Sequence, residues 1–161
     1  MRTIGVISDT HGLLRPEALA ALEGSALILH AGDVGDARIL HALARIAPVH
    51  AVFGNTDHGE LRARLPRTVE VDLGAEGGGI GPLAYVHHGD RELDLDPAAA
   101  GLALVVSGHT HRSLVKERGG VLYLNPGSAG PHPFKPPATV ARVTVDDRGR
   151  LTAEIVSLDG P

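Results

Sequence analysis

Residues 2–12 read RTIGVISDTHG, and residues 26–36 read ALILHAGDVGD. Each stretch begins as an apolar run of the kind that forms a strand buried on both faces, and each runs straight into polar and glycine residues, as a strand ending in a loop does. Residues 49–57, VHAVFGNTD, repeat the pattern. Between these strands, Pro16 suits the first turn of a short helix reaching residue 23, and Asp36 stands where it caps a helix over residues 37–47. Residues 58–65 predict a short third helix, closed by Pro66. The order strand, helix, strand, helix, strand favours a mostly parallel sheet with its functional loops at the carboxyl ends of the strands.

Beyond Thr68 the helices thin out. Residues 68–73 and 83–87 read as strands around a glycine-rich turn at 77–81, and residues 103–107 form another buried strand before Gly108-His109-Thr110-His111. Residues 113–116 and 121–125 flank Gly119-Gly120 as a hairpin, and 139–145 with 151–156 flank Asp147-Arg148-Gly149 as a second. Residues 131–137, PHPFKPP, are by composition an extended surface loop. The whole is predicted to be one α/β domain spanning residues 1–161, in which two sheets pack together with helices outside.

Composition removes several function classes. The chain has no cysteine, which excludes disulfides, thiolate zinc sites and cysteine nucleophiles together. A net charge of −4, with 2 Tyr, 2 Phe and no Trp, argues against nucleic-acid binding as the main role. The longest apolar run is short, at residues 26–29, so no membrane span is expected and the chain is predicted to be soluble and cytoplasmic.

Ten histidines are a lead toward metal chemistry. A lone Asp-x-His arises by chance about 0.7 times in a chain of this composition and decides nothing. What decides is convergence. Asp9/His11, Asp33/Asp36, Asn55/Asp57, His87/His88 and His109/His111 each follow directly on an apolar segment, and all fall on one predicted sheet edge. If the extended conformation persists past the strand ends, Asp9 with His11 and His109 with His111 share a face and each pair can chelate. Oxygen and imidazole donors without sulfur suit divalent Mn, Fe, Zn, Ni or Co and do not single one out. A carboxylate such as Asp33 can bridge two ions, and two ions so placed can share a hydroxide, orient a phosphate and neutralise charge in an in-line displacement. Hydrolysis of a phosphate ester is the matching reaction.

The blocks Asp9-Thr10-His11, Gly32-Asp33-Val34-Gly35-Asp36, Gly54-Asn55-Thr56-Asp57, His88-Gly89 and Gly108-His109-Thr110-His111 occur in the order found in the calcineurin-like metallophosphoesterase superfamily. The resemblance covers nearly the whole chain. With its compact length and Asn125-Pro126-Gly127-Ser128, the chain is similar to the minimal prokaryotic, phosphodiesterase-type branch. The resemblance implies a four-layer α/β/β/α sandwich of two mixed sheets. It implies one divalent ion on Asp9, His11, Asp33 and His111 and a second on Asp33, Asn55, His88 and His109, with Asp33 as the bridge and Asn55 also orienting substrate. Of the adjacent histidines, His88 is the implied ligand, because His-Gly matches the branch, and His87 is read as a supporting or core residue.

One position departs from the phosphoprotein phosphatases that this superfamily includes. There the residue after the asparagine is a histidine that protonates the leaving group; here it is Thr56. A threonine hydroxyl is too weak an acid for that role, so Asp36 is read as a helix cap, and good leaving groups or another proton donor are implied. Asn125–Ser128 reads equally as a turn closing the sheet or as a source of N–H groups for phosphate. Arg91 and Arg112 read as solvated surface residues or phosphate clamps.

The expected function is therefore hydrolysis of phosphodiesters or activated phosphate esters by a metal-bridging hydroxide, with a small phosphate ester as partner and neither nucleic acid nor membrane. A homo-oligomer is left open. The same fold also resembles the small retromer subunit, so a non-catalytic metal-binding scaffold is the alternative; a nuclease of the same superfamily is a third reading, weakened by charge and by the scarcity of aromatics.

Overall fold

The computed structural model describes residues 1–75, 78–131 and 137–159. Among these lie ten strands and three helices: β1 (Arg2–Ile7), α1 (Pro16–Leu22), β2 (Leu27–His30), α2 (Ala37–Ala44), β3 (Val49–Ala51), α3 (Gly59–Arg64), β4 (Thr68–Asp72), β5 (Leu83–His87), β6 (Leu104–Val106), β7 (Leu114–Arg118), β8 (Val121–Asn125), β9 (Thr139–Val145) and β10 (Leu151–Ser157). Two five-stranded sheets result, ordered β10-β9-β1-β2-β3 and β4-β5-β6-β8-β7.

Both sheets are mixed. In the first, β1, β2 and β3 are parallel and β9 runs antiparallel to β1 and β10; in the second, β5, β6 and β8 are parallel, with antiparallel β4 and β7 at the edges. The parallel strands carry alternating residues to two different cores. Ile4, Val6, Leu27 and Leu29 point between the sheets, where they meet Ala84, Val86, Leu104 and Val106. Ile7 and Ile28 point outward, into a second cluster with Ala18 and Leu22 of α1 and Ile39 and Leu43 of α2. Burial on both faces is why β1 and β2 read as continuous apolar runs rather than as alternating ones.

The helices are short and locally specified. Pro16 opens α1, and Asp36 caps α2 by accepting the Arg38 N–H at 2.9 Å, while Ile39 and Leu43, four apart, form its buried stripe. Helix α2 ends at Ala44, three residues before the expected end, and β3 ends at Ala51; Val52 N–H still donates to His30 O, whereas Phe53 N–H turns away to Pro66 O as the chain enters the loop before Asn55. The outer face of the second sheet carries no helix among the described residues. The segment after β5 closes on itself through turn bonds such as Leu102 N–H to Pro97 O, and its residues 89–94 line a cavity together with Tyr85 and His87. Strand β7 is exposed along its length, but Lys116, Glu117 and Arg118 charge this edge.

The register places the carboxyl ends of β1, β2, β3, β5 and β6 on one rim. The glycine-rich turn at 77–81 is described only from residue 78 onward, and the proline-rich stretch at 131–137 lies mostly outside the described residues. Among the described residues, no helix is long and apolar enough to cross a membrane.

Candidate metal centre

The loops leaving five strand ends deliver Asp9, His11, Asp33, Asn55, His88, His109 and His111 to one spot. They do so by bending the backbone rather than by extending it. Asp9, His11, Asp33, His109 and His111 have φ between 46° and 70°, and they are the only non-glycine residues with positive φ among the described ones. This left-handed region costs about 1 kcal/mol or more at each non-glycine residue and persists only where the surroundings impose it. The expectation that Asp9/His11 and His109/His111 share a face through continued extension is therefore corrected: each pair converges through two left-handed kinks.

The geometry divides the donors into two overlapping sets. In the first, His11 Nε2 and His111 Nε2 face each other at 3.2 Å, and Asp9 Oδ1 lies 3.6 Å from the former and 3.3 Å from the latter. In the second, Asn55 Oδ1 lies 2.9 Å from His88 Nε2 and 3.2 Å from His109 Nδ1. Asp33 Oδ2 touches both sets, 3.7 Å from His11 Nε2 and 3.1 Å from His88 Nε2. Its other oxygen accepts the Thr56 N–H at 2.9 Å, so one oxygen rather than two faces the shared space.

The donor set fits divalent ions. Asp9 Oδ2 accepts from Ser8 Oγ at 2.5 Å and from the His109 N–H at 3.0 Å, whereas Asp9 Oδ1 is buried with no hydrogen-bond partner. A buried carboxylate oxygen left bare costs several kcal/mol unless a cation meets it. Ala31 O lies 2.8 Å from His88 Nδ1 and so fixes the proton there, which turns the Nε2 lone pair toward Asp33 and Asn55. Two groups here bring ligand atoms within 4.8 Å of one another, Asp9 with His11 and His111, and Asp9 with Asp33 and His88.

The electrostatics agree. Burial opposes ionisation of Asp9, but His11, Ser8, His88 and the His109 N–H outweigh it and hold the carboxyl below the usual range. Burial likewise opposes ionisation of Asp33, yet His88 and the Thr56 N–H and hydroxyl hold it well below that range. Asp9 raises His11 against the opposing effect of burial; burial lowers His88, but Asp33, Ala31 O and Asp9 raise it further than burial lowers it. Two carboxylates facing several imidazoles demand protons or metal ions.

The packing explains the glycines that precede the ligands. A Cβ at Gly54 would overlap Asp33 Oδ1, and one at Gly108 would overlap Ser8 Oγ and Asp9 Oδ2. Asp57 braces the centre from behind, accepting the N–H groups of Val34 at 3.1 Å, Gly35 at 3.0 Å and Gly54 at 2.9 Å. Asp36 is half-buried, accepts the Arg38 N–H as the cap of α2 and pairs with the Arg38 guanidinium. His87 lies half-buried on the outer face of its sheet, 6.2 Å from the Tyr85 ring, and burial pushes its pKa down. Arg91 and Arg112 are exposed.

Several supporting residues were not legible in the sequence. His30, fully buried, accepts the Gly32 N–H at Nδ1 (3.1 Å), so Nε2 donates to Thr10 Oγ1 (3.1 Å), which donates to Val34 O (2.8 Å). The signal was a histidine at an outward position of a strand otherwise made of Leu and Ile. Asn125 Nδ2 donates to Gly108 O at 2.9 Å and Ser128 Oγ to Asp9 O at 2.8 Å, and the N–H groups of Gly127, Ala129 and Gly130 are engaged within the protein. The 125–128 turn thus supports the ligand loops; these three N–H groups are not available to phosphate.

Residues 1–148 match the calcineurin-like phosphoesterase superfamily domain. A probable metallophosphoesterase of Methanothermobacter thermautotrophicus is 36% identical over 165 residues, spanning 98% of this chain and 94% of the relative. Another, from Methanocaldococcus jannaschii, is 35% identical over 163 residues, spanning 97% and 81%. Among solved structures, an archaeal phosphodiesterase superposes with a TM-score of 0.74 at 20% identity, over 96% of this chain and 99% of the other. Wild-type Vps29 of Entamoeba histolytica, complexed with Zn²⁺, gives 0.70 at 23%, over 97% and 99%. At such identities the structures speak for the fold alone. The family match and the two relatives establish that the chain belongs to the calcineurin-like phosphoesterase superfamily.

Proposed function

We propose that the chain is a metal-dependent hydrolase of phosphodiesters or activated phosphate esters. Asp9, His11, Asp33 and His111 would hold one divalent ion, and Asp33, Asn55, His88 and His109 the other, with Mn²⁺ the expected occupant of both. The observation that carries this reading is the bare, buried Asp9 Oδ1 beside two imidazoles, with Asp33 Oδ2 facing both donor sets. When bound, the ions supply the positive charge that acidifies water and neutralises phosphoryl oxygens.

The chain's own residues supply orientation. Asn55 is exposed and turns Oδ1 toward His88 and His109, which leaves its Nδ2 to hold a phosphoryl oxygen. Ala31 O and the Asp9 contacts fix the ligand rings and carboxylates before substrate arrives, so little reorganisation accompanies the reaction.

The test is turnover of a chromogenic diester and the matching monoester by chelator-stripped protein resupplied with Mn²⁺, Ni²⁺, Zn²⁺ or Mg²⁺. Hydrolysis restored by metal and lost in Asp33→Asn is expected. Absence of turnover with every metal refutes the proposal and favours a metal-binding interaction scaffold, a reading to which the fold shared with Vps29 lends support.

A further inference from the structure

We propose that His58 is the catalytic residue that gives a proton to the leaving group, an inference that rests on the phosphoesterase reading above. A cleft of about 420 Å³ opens beside His11 of the metal centre, and Asp36, Thr56, Asp57, His58 and Glu60 also line it. The turn carrying this wall is fixed to the centre. Thr56 N–H donates to Asp33 Oδ1 at 2.9 Å, and Asp57 N–H closes on Gly54 O at 3.2 Å, so His58 stands one turn beyond Asn55. A leaving group that extends from the metals past His11 enters the space that His58 lines.

Cleavage of a phosphate ester needs a proton there. As water oxygen bonds to phosphorus, the bond from phosphorus to the ester oxygen breaks, and its electron pair stays on that oxygen. An alkoxide or unactivated phenoxide is a poor leaving group unless it is protonated as it departs.

His11 belongs to the ligand cluster. Asp36 is held as a carboxylate by Arg38, whose Nε and Nη2 reach its Oδ2 at 3.0 and 2.7 Å, and this contact lowers its pKa. Asp57 is buried, with its oxygens committed to the three backbone N–H groups that it braces. Glu60 forms an ion pair with Arg64, 3.8 Å away and one turn along α3. The Thr56 hydroxyl is too weak an acid.

His58 is the remaining group. It precedes α3 with φ −145° and ψ 178°, and its side chain makes no capping hydrogen bond. The residue is exposed, and among the described residues no hydrogen bond, ion pair or ring contact ties down its imidazole. Imidazole is the side chain that most readily exchanges a proton near neutral pH. In the step proposed, imidazolium His58 transfers its ring proton to the departing oxygen, the alcohol leaves neutral, and the imidazole recovers a proton from solvent while the water's spare proton passes to solvent.

The experiment compares the Mn²⁺-loaded protein with His58→Gln and Glu60→Gln on aryl methyl phosphodiesters whose leaving phenols run from nitrophenol to unsubstituted phenol. For His58→Gln the loss in kcat is expected to grow along the series, from a few-fold to about 100-fold, and the basic limb of the pH profile to disappear. Metal content and Tm should stay at the levels of the unaltered protein. A loss of the same factor for every leaving group, a change in KM alone, or a leaving-group-dependent loss in Glu60→Gln instead would overturn the assignment. Failure of the unaltered protein to hydrolyse any ester refutes the phosphoesterase reading itself, which separates the two failures.

Discussion

His30 offers a test of the polar support behind the metal centre. Burial pushes its pKa down from an ordinary 6.5 to about 4, against the smaller opposing effects of Asp9, Asp57 and Asp33. The folded protein therefore holds His30 neutral while the unfolded chain protonates it, so stability falls as pH drops below 6.5 and levels off below about 4. The full excursion is about 3 kcal/mol, of which about 2 kcal/mol develops between pH 7 and pH 4.5. His30→Asn keeps an acceptor for the Gly32 N–H, loses the hydrogen bond to Thr10 and leaves a small void. At pH 7 it should cost about 2–3 kcal/mol.

At pH 4.5 the unaltered protein has lost its own His30 contribution, so the gap to the variant should shrink to about 1 kcal/mol or less. His11 and His88, whose pKa values are raised, act in the opposite direction: their stabilisation is present below pH 6.5 and lost as pH rises through their folded values. That contribution is common to both proteins and cancels in the difference. The assay is urea unfolding of metal-stripped protein at both pH values, followed by circular dichroism because the chain has no Trp. A gap that is constant or wider at pH 4.5 refutes the argument that burial governs His30.

Asp57→Asn puts an amide where three N–H groups seek an acceptor; it should cost about 2–4 kcal/mol and weaken metal binding, both measurable by calorimetry, though no ligand is removed. Metal affinity should fall as pH drops through the raised titrations of His11 and His88, by up to about 100-fold per unit when two protons are displaced, with proton release seen on binding in weakly buffered solution. Gly54→Ala forces a methyl against Asp33 Oδ1; the variant should lose most metal-restored turnover, whereas Gly24→Ala, at a turn where the added methyl meets nothing within 4 Å, should retain it while losing about 1 kcal/mol of stability to its positive φ.

The α/β class and most strand positions were written in local patterns. Apolar runs such as residues 2–7 and 27–30 need both faces buried, Pro16 and Asp36 mark helix starts, and Gly119-Gly120 marks a hairpin; each of these is a near-neighbour effect that one dimension can hold. The seven candidate ligands were legible because polar clusters followed those runs and matched a family pattern. What only the tertiary structure decided was how the ligands meet. Asp9 and His11 converge through left-handed backbone that is imposed by Gly32, Asp33 and Val34 across the sheet, whose carbonyls accept the N–H groups of Asp9, His11 and Gly12. His30, Asn125 and Ser128 acquire their roles from partners 17 to 119 residues away in sequence, and Thr10, in the loop after β1, carries the His30 bond on to Val34 O in the loop after His30's own strand. Such partners carry no local signature, because a buried polar side chain is stabilised by the donor or acceptor that folding brings to it and not by its neighbours along the chain.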